Sequence, residues 1–386
     1  MVSILLAVIY LAFISLGLPD SLLGSAWPVM YRELEIPISC AGIISMIISG
    51  GTMISSLCSD RVTRKMGTGL VTAVSVALTA GALAGFSVSG SFAVLCLCAI
   101  PYGLGAGAID AALNNYVALH YNSRQMSWLH CFWGVGASVS PYIMGYAISA
   151  GHGWRNGYRM VSVVQMLLTV VLFLALPLWK KTAAASPEEE KGAPLKFSEI
   201  LRLRGVVPVL LAFLSYCAFE STCGLWSSSW LAGERGMDGG TAAAAASLFY
   251  LGITSGRFLS GFIADRAGDV RMIRGGLLLA LSGVLLTALS AGSSLMAQAG
   301  LLAAGLGAAP VYPSVIHSTP RNFGRENSQA VIGMQMAVAY VGSTLMPPLF
   351  GLIAERITLG VYPVYLAFFL VAALVMSERV NKSSRP

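Results

Sequence analysis

The chain has 386 residues, of which 56% are hydrophobic and only 11% charged, against about 25% charged in soluble domains. With a mean hydropathy of +0.74 sustained along nearly its whole length, it has too few charges to clothe a soluble bundle, and that class is excluded. The formal net charge of +7 comes from bases spaced at intervals rather than gathered in one patch, which excludes a nucleic-acid-binding surface.

Apolar runs of this length must be helical, because lipid offers the backbone no hydrogen-bond partner. The expectation is an all-α membrane protein of twelve spans, with a 1–178 bundle of six helices, a 179–205 linker and a 206–386 bundle of six. The first half places spans near 4–30, 39–58, 67–88, 92–119, 127–150 and 158–178. The opening stretch has the apolarity of a signal peptide but no basic leader or small-residue cleavage site, so it reads as a retained first span. Next comes the linker, with Lys180, Lys181, an acidic run from Pro187 to Glu190, and a short surface helix expected around Phe197–Leu203. The second half places spans near 206–232, 241–264, 272–291, 294–317, 327–354 and 359–376. Eighteen of the 24 lysines and arginines then fall on one side and five on the other, with Arg257 inside a span. This bias assigns both termini and the linker to the cytoplasm of a bacterial inner (plasma) membrane.

Four short elements of the first half recur in order in the second, offset by 200 to 206 residues. Pro19–Gly24 answers to Phe219–Gly224, and Ser56–Arg61 to Gly261–Arg266. Gly103–Ala106 answers to Gly305–Ala308, and Gly136, Pro141 and Gly145 to Gly342, Pro347 and Gly351. Parallel repeats of six spans suit a transporter whose halves rock about a central site.

Of the seventeen acids, only Asp20, Asp110 and Glu220 fall inside expected spans. A carboxylate near the bilayer centre costs roughly 3 kcal/mol or more, so it persists only beside a wet cavity, a cation or a proton. Asp20 and Asp110 are therefore the candidates for ion coupling, with H+ or Na+ as the ion. Asp20 shares a helix face with Gly24 and Trp27, and Asp110 shares one with Asn114, which sets an amide beside a carboxylate. Glu220 either meets the solute or locks against Arg257. His130 is open between proton relay, solute ligand and helix cap. With Trp133, Trp226, Gln335 and Tyr340, these residues complete the expected solute-binding set: Asp20, Trp27, Asn114, His130, Trp133, Glu220, Trp226, Gln335 and Tyr340.

The pattern G-x-x-x-D-R-x-G-x-[RK] after spans two and eight resembles the signature of the major facilitator superfamily. The second copy keeps Gly261, Asp265, Arg266 and Gly268. The first keeps Asp60, Arg61, Arg64 and Lys65 but has Ser56 and Thr63 at the glycine positions. Within that superfamily the chain resembles the fucose permease and sodium-glucose symporter branch. The likeness rests on Asp20-Ser21-Leu22-Leu23, on Gly103-Leu104-Gly105 with Asp110 and Asn114, and on Tyr216, Glu220 and Trp226. Asp110 stands where that branch has glutamate, and Asn115 where it has proline. The resemblance implies a secondary transporter, not an enzyme, that moves a small polar solute such as a sugar by alternating access. It also implies a gating role for Asp60, Arg61, Arg64, Asp265 and Arg266.

Competing readings fare worse. No phosphate-binding loop occurs, and Gly103, Gly105 and Gly107 lie in an apolar helix rather than a dinucleotide turn. Asp20 and Asp110 lack the sequence contexts of an aspartyl protease dyad. The seven cysteines show no metal-ligand spacing and read as small buried hydrophobes, so no metal or cofactor is expected, and the partners are solute, ion and lipid around a monomer. A multidrug or metabolite exporter of the same fold is the alternative, from which the Asn114, Asn115, His130 and Gln335 set points away.

Overall fold

The computed structural model describes residues 4–37, 40–179, 197–237, 239–290 and 293–383. The acidic run of the linker lies outside them. All regular structure among the described residues is helical. The helices are α1 (Ile4–Gly17), α2 (Leu22–Glu33), α3 (Cys40–Met66), α4 (Thr68–Val88), α5 (Phe92–His120), α6 (Ser123–Ser149) and α7 (Gly153–Leu174). After the linker come α8 (Phe197–Arg202), α9 (Val206–Arg235), α10 (Gly239–Ala267), α11 (Asp269–Ala288), α12 (Ser294–Ala308), α13 (Val311–Phe323), α14 (Arg325–Arg356) and α15 (Tyr362–Ser383). The short α8 falls where a surface helix was expected.

Ten stretches among the described residues are long and apolar enough to cross a membrane. The other two expected spans, α6 and α10, have 27 and 29 residues. Their length suffices, but Ser, Gly, His and Arg dilute their apolar character. Lipid-compatible side chains stand on the outside, among them Leu97, Leu167, Val364 and Phe368, each more than half exposed, as a bilayer in place of water allows.

Two expected spans are broken rather than continuous. The first divides at Leu18–Ser21, where Pro19 supplies no N–H and the chain tightens through Asp20 N–H to Gly17 O at 3.2 Å and Leu22 N–H to Pro19 O at 3.1 Å. The tenth divides between Ala308 and Val311, at Pro310. In both, proline removes a ladder bond and the ring crowds the preceding turn.

The chain groups into two compact units: 1–116 with 129–194, and 117–128 with 195–386. Each unit is knitted by glycines from the repeated elements. In the first, a methyl on Gly103 or Gly107 would strike the α3 carbonyls of Ile48 or Thr52, and one on Gly105 would lie 2.6 Å from the α4 carbonyl of Ser75. In the second, Gly305 of α12 faces the Phe249 carbonyl of α10, while Gly307 meets α11 at Gly276 and Ala280. Gly283 and Gly300 make the same backbone-to-backbone approach between α11 and α12. Gly252 and Gly256 also sit in close contacts, but Gly81 faces open space within 4 Å. The repeated Gly-Leu-Gly-Ala run is thus a two-sided packing device.

Single-residue joints explain the imperfect first motif. Helix α3 runs on to Met66, and Gly67 alone, at φ 77°, ψ 151°, turns the chain into α4. Gly268, at φ 77°, ψ 154°, does the same between α10 and α11. A positive φ of this size favours glycine at both joints. Asp60 and Asp265 are 205 residues apart, but the joints are 201 apart. The first half therefore carries four extra residues, about one helical turn, between aspartate and joint. Its second glycine is displaced, not lost. Both Asp-Arg pairs consequently sit in the final turns of helices, not in loops.

At the opposite end of the first unit, Glu33 accepts from Trp154 Nε1 at 2.7 Å and from the Arg155 guanidinium, whose Nε donates to Ser89 O at 2.9 Å. The Arg155 hydrogen bond holds the Glu33 carboxyl below its usual range, against a smaller opposing effect of burial.

Candidate functional site

The break in the first span determines what Asp20 can do. Leu18 and Leu22 on either side are buried, whereas the Asp20 side chain is open to solvent. Its two oxygens are held from two other helices. Tyr102 of α5 donates its hydroxyl to Oδ1 at 3.0 Å, and Trp133 of α6 donates Nε1 to Oδ2 at 2.9 Å. Tyr102 is 5% exposed and Trp133 half-buried. Both donors are neutral, and no ion pair forms at this carboxylate among the described residues. Tyr102 was not among the expected site residues, and nothing in its sequence position ties it to a residue 82 places earlier.

Trp27 goes elsewhere. The break takes Asp20 out of the helical register assumed for the pair. Trp27 packs instead into an apolar cluster with Leu22, Ile44, Phe86, Trp154 and Tyr158.

A second constellation lies inside the first unit. Asn114 donates Nδ2 to Asp110 Oδ1 at 2.8 Å and to the Asp110 carbonyl at 2.9 Å, while its Oδ1 lies 3.1 Å from His130 Nε2. Asp110, Asn114 and His130 are all buried, and His130 sets its ring edge-on to Phe13 at 5.6 Å. The i,i+4 spacing foresaw the first link. The second, from α5 to α6, turns three expected residues into one hydrogen-bonded string. Asn114 Oδ1 can only accept, so His130 carries a proton on Nε2 for that bond.

In the second unit, Glu220 of α9 lies 3.4 Å from Arg257 of α10, with side-chain exposures of 23% and 6%. The ion pair between these residues is therefore present. Trp226 donates Nε1 to Pro347 O at 3.0 Å and meets Phe350 at 5.4 Å, so its indole serves the Pro347–Pro348 stretch of α14. Gln335 is fully buried and accepts from Thr319 Oγ1 at 3.1 Å. Tyr340 is half-buried on the same helix.

The motif residues form two different arrangements. Asp60, 5% exposed, accepts from Arg64 Nε at 2.8 Å, one turn further along α3, while Arg61 points to solvent. Asp265 accepts the backbone N–H of Arg124 at 3.1 Å and pairs with its guanidinium at 3.3 Å, at the start of α6. Arg266 is exposed. Gly261 is glycine because the Trp128 indole sits on it. Ser56, its counterpart, instead donates to Gly107 O at 3.2 Å. Sequence reasoning passed over Asp269, Ser123 and His317, which cluster beside Asp265. The available signal was an acid directly after the joint glycine and one of only four histidines in the chain.

Comparison with known proteins places this geometry in context. The yeast protein named bypass of stop codon protein 6 (Saccharomyces cerevisiae) is 23% identical over 95% of this chain and 80% of its own length. The 3-(3-hydroxy-phenyl)propionate transporter of Escherichia coli is 25% identical over 89% of this chain and 84% of its own. A crystal structure of FucP in the outward conformation superimposes with a TM-score of 0.80 at 16% identity, covering 97% of this chain and 98% of that one; FucP is the E. coli fucose:proton symporter. The family model described as Major Facilitator Superfamily matches residues 9–228 and 208–381, and the chain belongs to that superfamily of multi-pass membrane transporters.

Proposed function

We propose that the protein is a proton-coupled secondary transporter of a small, hydroxyl-rich solute such as a sugar, with Asp20 as the coupling carboxylate. The observation that carries this reading is the solvent-open Asp20, held at a helix break by a phenol and an indole. A carboxylate without a cation partner can exchange a proton without breaking an ion pair, and the aromatic planes beside it suit the apolar face of a sugar ring. Broken spans are where transporters commonly set their binding groups. The buried Asp110–Asn114–His130 string is the second acidic element, a route by which protonation is felt between α5 and α6. Asp60 with Arg64, Asp265 with Arg124, and the exposed Arg61 and Arg266 are proposed as gate residues on the cytoplasmic side, in agreement with the distribution of bases.

The test is transport by purified protein in vesicles, using solutes chosen by a thermal-shift screen of monosaccharides, nucleosides and aromatic acids. An inward proton gradient should drive accumulation, and adding solute without a gradient should alkalinise the outside. Accumulation driven by sodium and indifferent to protons would overturn the coupling assignment.

One observation favours a second reading. Arg257 is a buried cation that faces the Glu220 carboxylate at 3.4 Å, and the E. coli relative is named for an aromatic acid. A carboxylate solute could replace Glu220 at that guanidinium. Stabilisation by aromatic acids but not sugars, lost in Arg257→Gln, would select it.

A further inference from the structure

A second titratable cluster lies beside the Arg124–Asp265 pair and is used by nothing described so far. His317 is in the last two turns of α13, with 19% of its side chain exposed. Its Nδ1 lies 3.1 and 3.0 Å from the two oxygens of Asp269 and 2.9 Å from Ser123 Oγ. On the other side of the ring, Nε2 lies 3.2 Å from the main-chain carbonyl of Tyr121. Asp269, 4% exposed, is the first residue of α11 and also accepts from Ser123 Oγ at 2.6 Å.

Both ring nitrogens therefore face acceptors. A carbonyl can only accept, and so can an ionised carboxylate, whereas neutral imidazole owns one N–H. Only the imidazolium makes both bonds. On losing a proton the ring gives up either the bond to Tyr121 O or the bond to Asp269. In the second case Ser123 Oγ–H, which lies 2.9 Å from Nδ1, can swing from Asp269 to the bare nitrogen, and the charge-assisted bond to the carboxylate is lost. The charged groups around the ring are Asp269, Arg321 and, next to Ser123 on the same corner, the Arg124–Asp265 pair. Asp269 approaches from α11, and Arg321, one turn along α13, holds Nη1 3.9 Å from Asp269. The 121–123 corner contributes a hydroxyl and a carbonyl, neither charged.

We propose that His317 is a proton-operated clasp, which when protonated tightens the Tyr121–Ser123 corner against the N-terminus of α11 and when neutral loosens it, with the Ser123–Asp269 and Arg124–Asp265 contacts remaining. The corner joins α5, which carries Asp110 and Asn114, to α6, which carries His130 and Trp133. A proton at His317 thereby bears on the two helices that hold the coupling acids, through covalent continuity alone. The clasp is independent of which solute is carried and of whether Asp20 couples it.

The experiment is amide hydrogen exchange of the full chain in nanodiscs between about pH 5 and 8, across the histidine range, with rates corrected for intrinsic base catalysis. In the wild type, opening of segment 117–128 should increase about tenfold as pH rises, the worth of one charge-assisted bond, while α4 and α7 stay flat. His317→Gln should remove the step. A wild-type segment without a step, or a variant that keeps it, overturns the proposal. As a measurement needing no variant at this position, ¹⁵N resonances of His317 in a chain whose other three histidines are replaced should report both nitrogens protonated near neutral pH. A neutral tautomer there would also overturn it.

Discussion

Asp20 and Glu220 occupy the same place in the two repeats, and their surroundings are opposite. Asp20 follows Pro19 at a broken helix, is open to solvent, and takes two neutral donors. Glu220 follows Phe219 within the unbroken α9, is partly covered, and faces a buried arginine. One residue accounts for much of the contrast. Proline ends the ladder and lets the next side chain leave the helical register, whereas phenylalanine keeps it. The lesson is that an acid inside a membrane span has two stable fates, exchange with water or neutralisation by a cation, and that duplication allowed one copy to follow each.

The most severe test of this contrast is to neutralise each acid in turn. Asp20→Asn should reduce gradient-driven accumulation to the leak level while leaving solute counterflow. Glu220→Gln should preserve proton coupling and alter the apparent affinity for solute. Uphill transport by the Asp20 variant would remove the coupling role.

Stability should respond in the reverse order. Glu220→Gln removes the carboxylate from Arg257 and should cost about 2 kcal/mol, less than for a fully buried pair because Glu220 is partly exposed, read as a fall in melting temperature in detergent. Replacing both residues together, Glu220→Leu with Arg257→Met, should restore most of that stability. A double variant as unstable as the single one would mean the pair is not what holds α9 to α10.

A smaller effect is expected from Pro19→Ala, which removes the cause of the difference while keeping the acid. With the helix able to run through, contacts from Tyr102 or Trp133 should weaken by about 1 kcal/mol. The apparent proton affinity of transport should then change several-fold, in the same sense as in Tyr102→Phe. Unchanged pH profiles in both variants would detach the clamp from coupling.

The least effect belongs to Glu33, which has both an indole and an arginine but stands in solvent. Its carboxyl is held below the ordinary value by Arg155. Its contribution is therefore fully present above the unfolded value of about 4.3 and is lost as pH falls through the lower folded value. Screening keeps such a pair small. Glu33→Gln should lower the melting temperature by no more than about 2 °C at pH 7, and the difference should vanish in strong acid.

Much of this was legible in the sequence, for physical reasons that vary by element. Hydropathy and the repeat disclosed the fold, because a bilayer fixes helix length and because Gly103/Gly305 and Gly136/Gly342 answer a shared packing need. The Asp110–Asn114 bond could be read from i,i+4 spacing. The cross-helix partners could not: Tyr102 meets Asp20, His130 meets Asn114, and His317 meets Asp269 through tertiary packing that local spacing does not encode. The break at Pro19 was visible as a residue but not as an event, since prolines such as Pro101 and Pro141 sit inside continuous α5 and α6. Trp27 shows the cost of that ambiguity. The glycine absent from the first motif was mistaken for a substitution because an extra turn had moved it.

The glycine seams of the second unit carry a mechanical implication. Where α12 meets α10 and α11 main chain to main chain, few side chains stand between the helices to switch rotamer. Such a slab transmits force instead of absorbing it. Any working motion must then be concentrated at its margins: the single-residue joint at Gly268, the interruption at Pro310 and the Pro347–Pro348 stretch of α14.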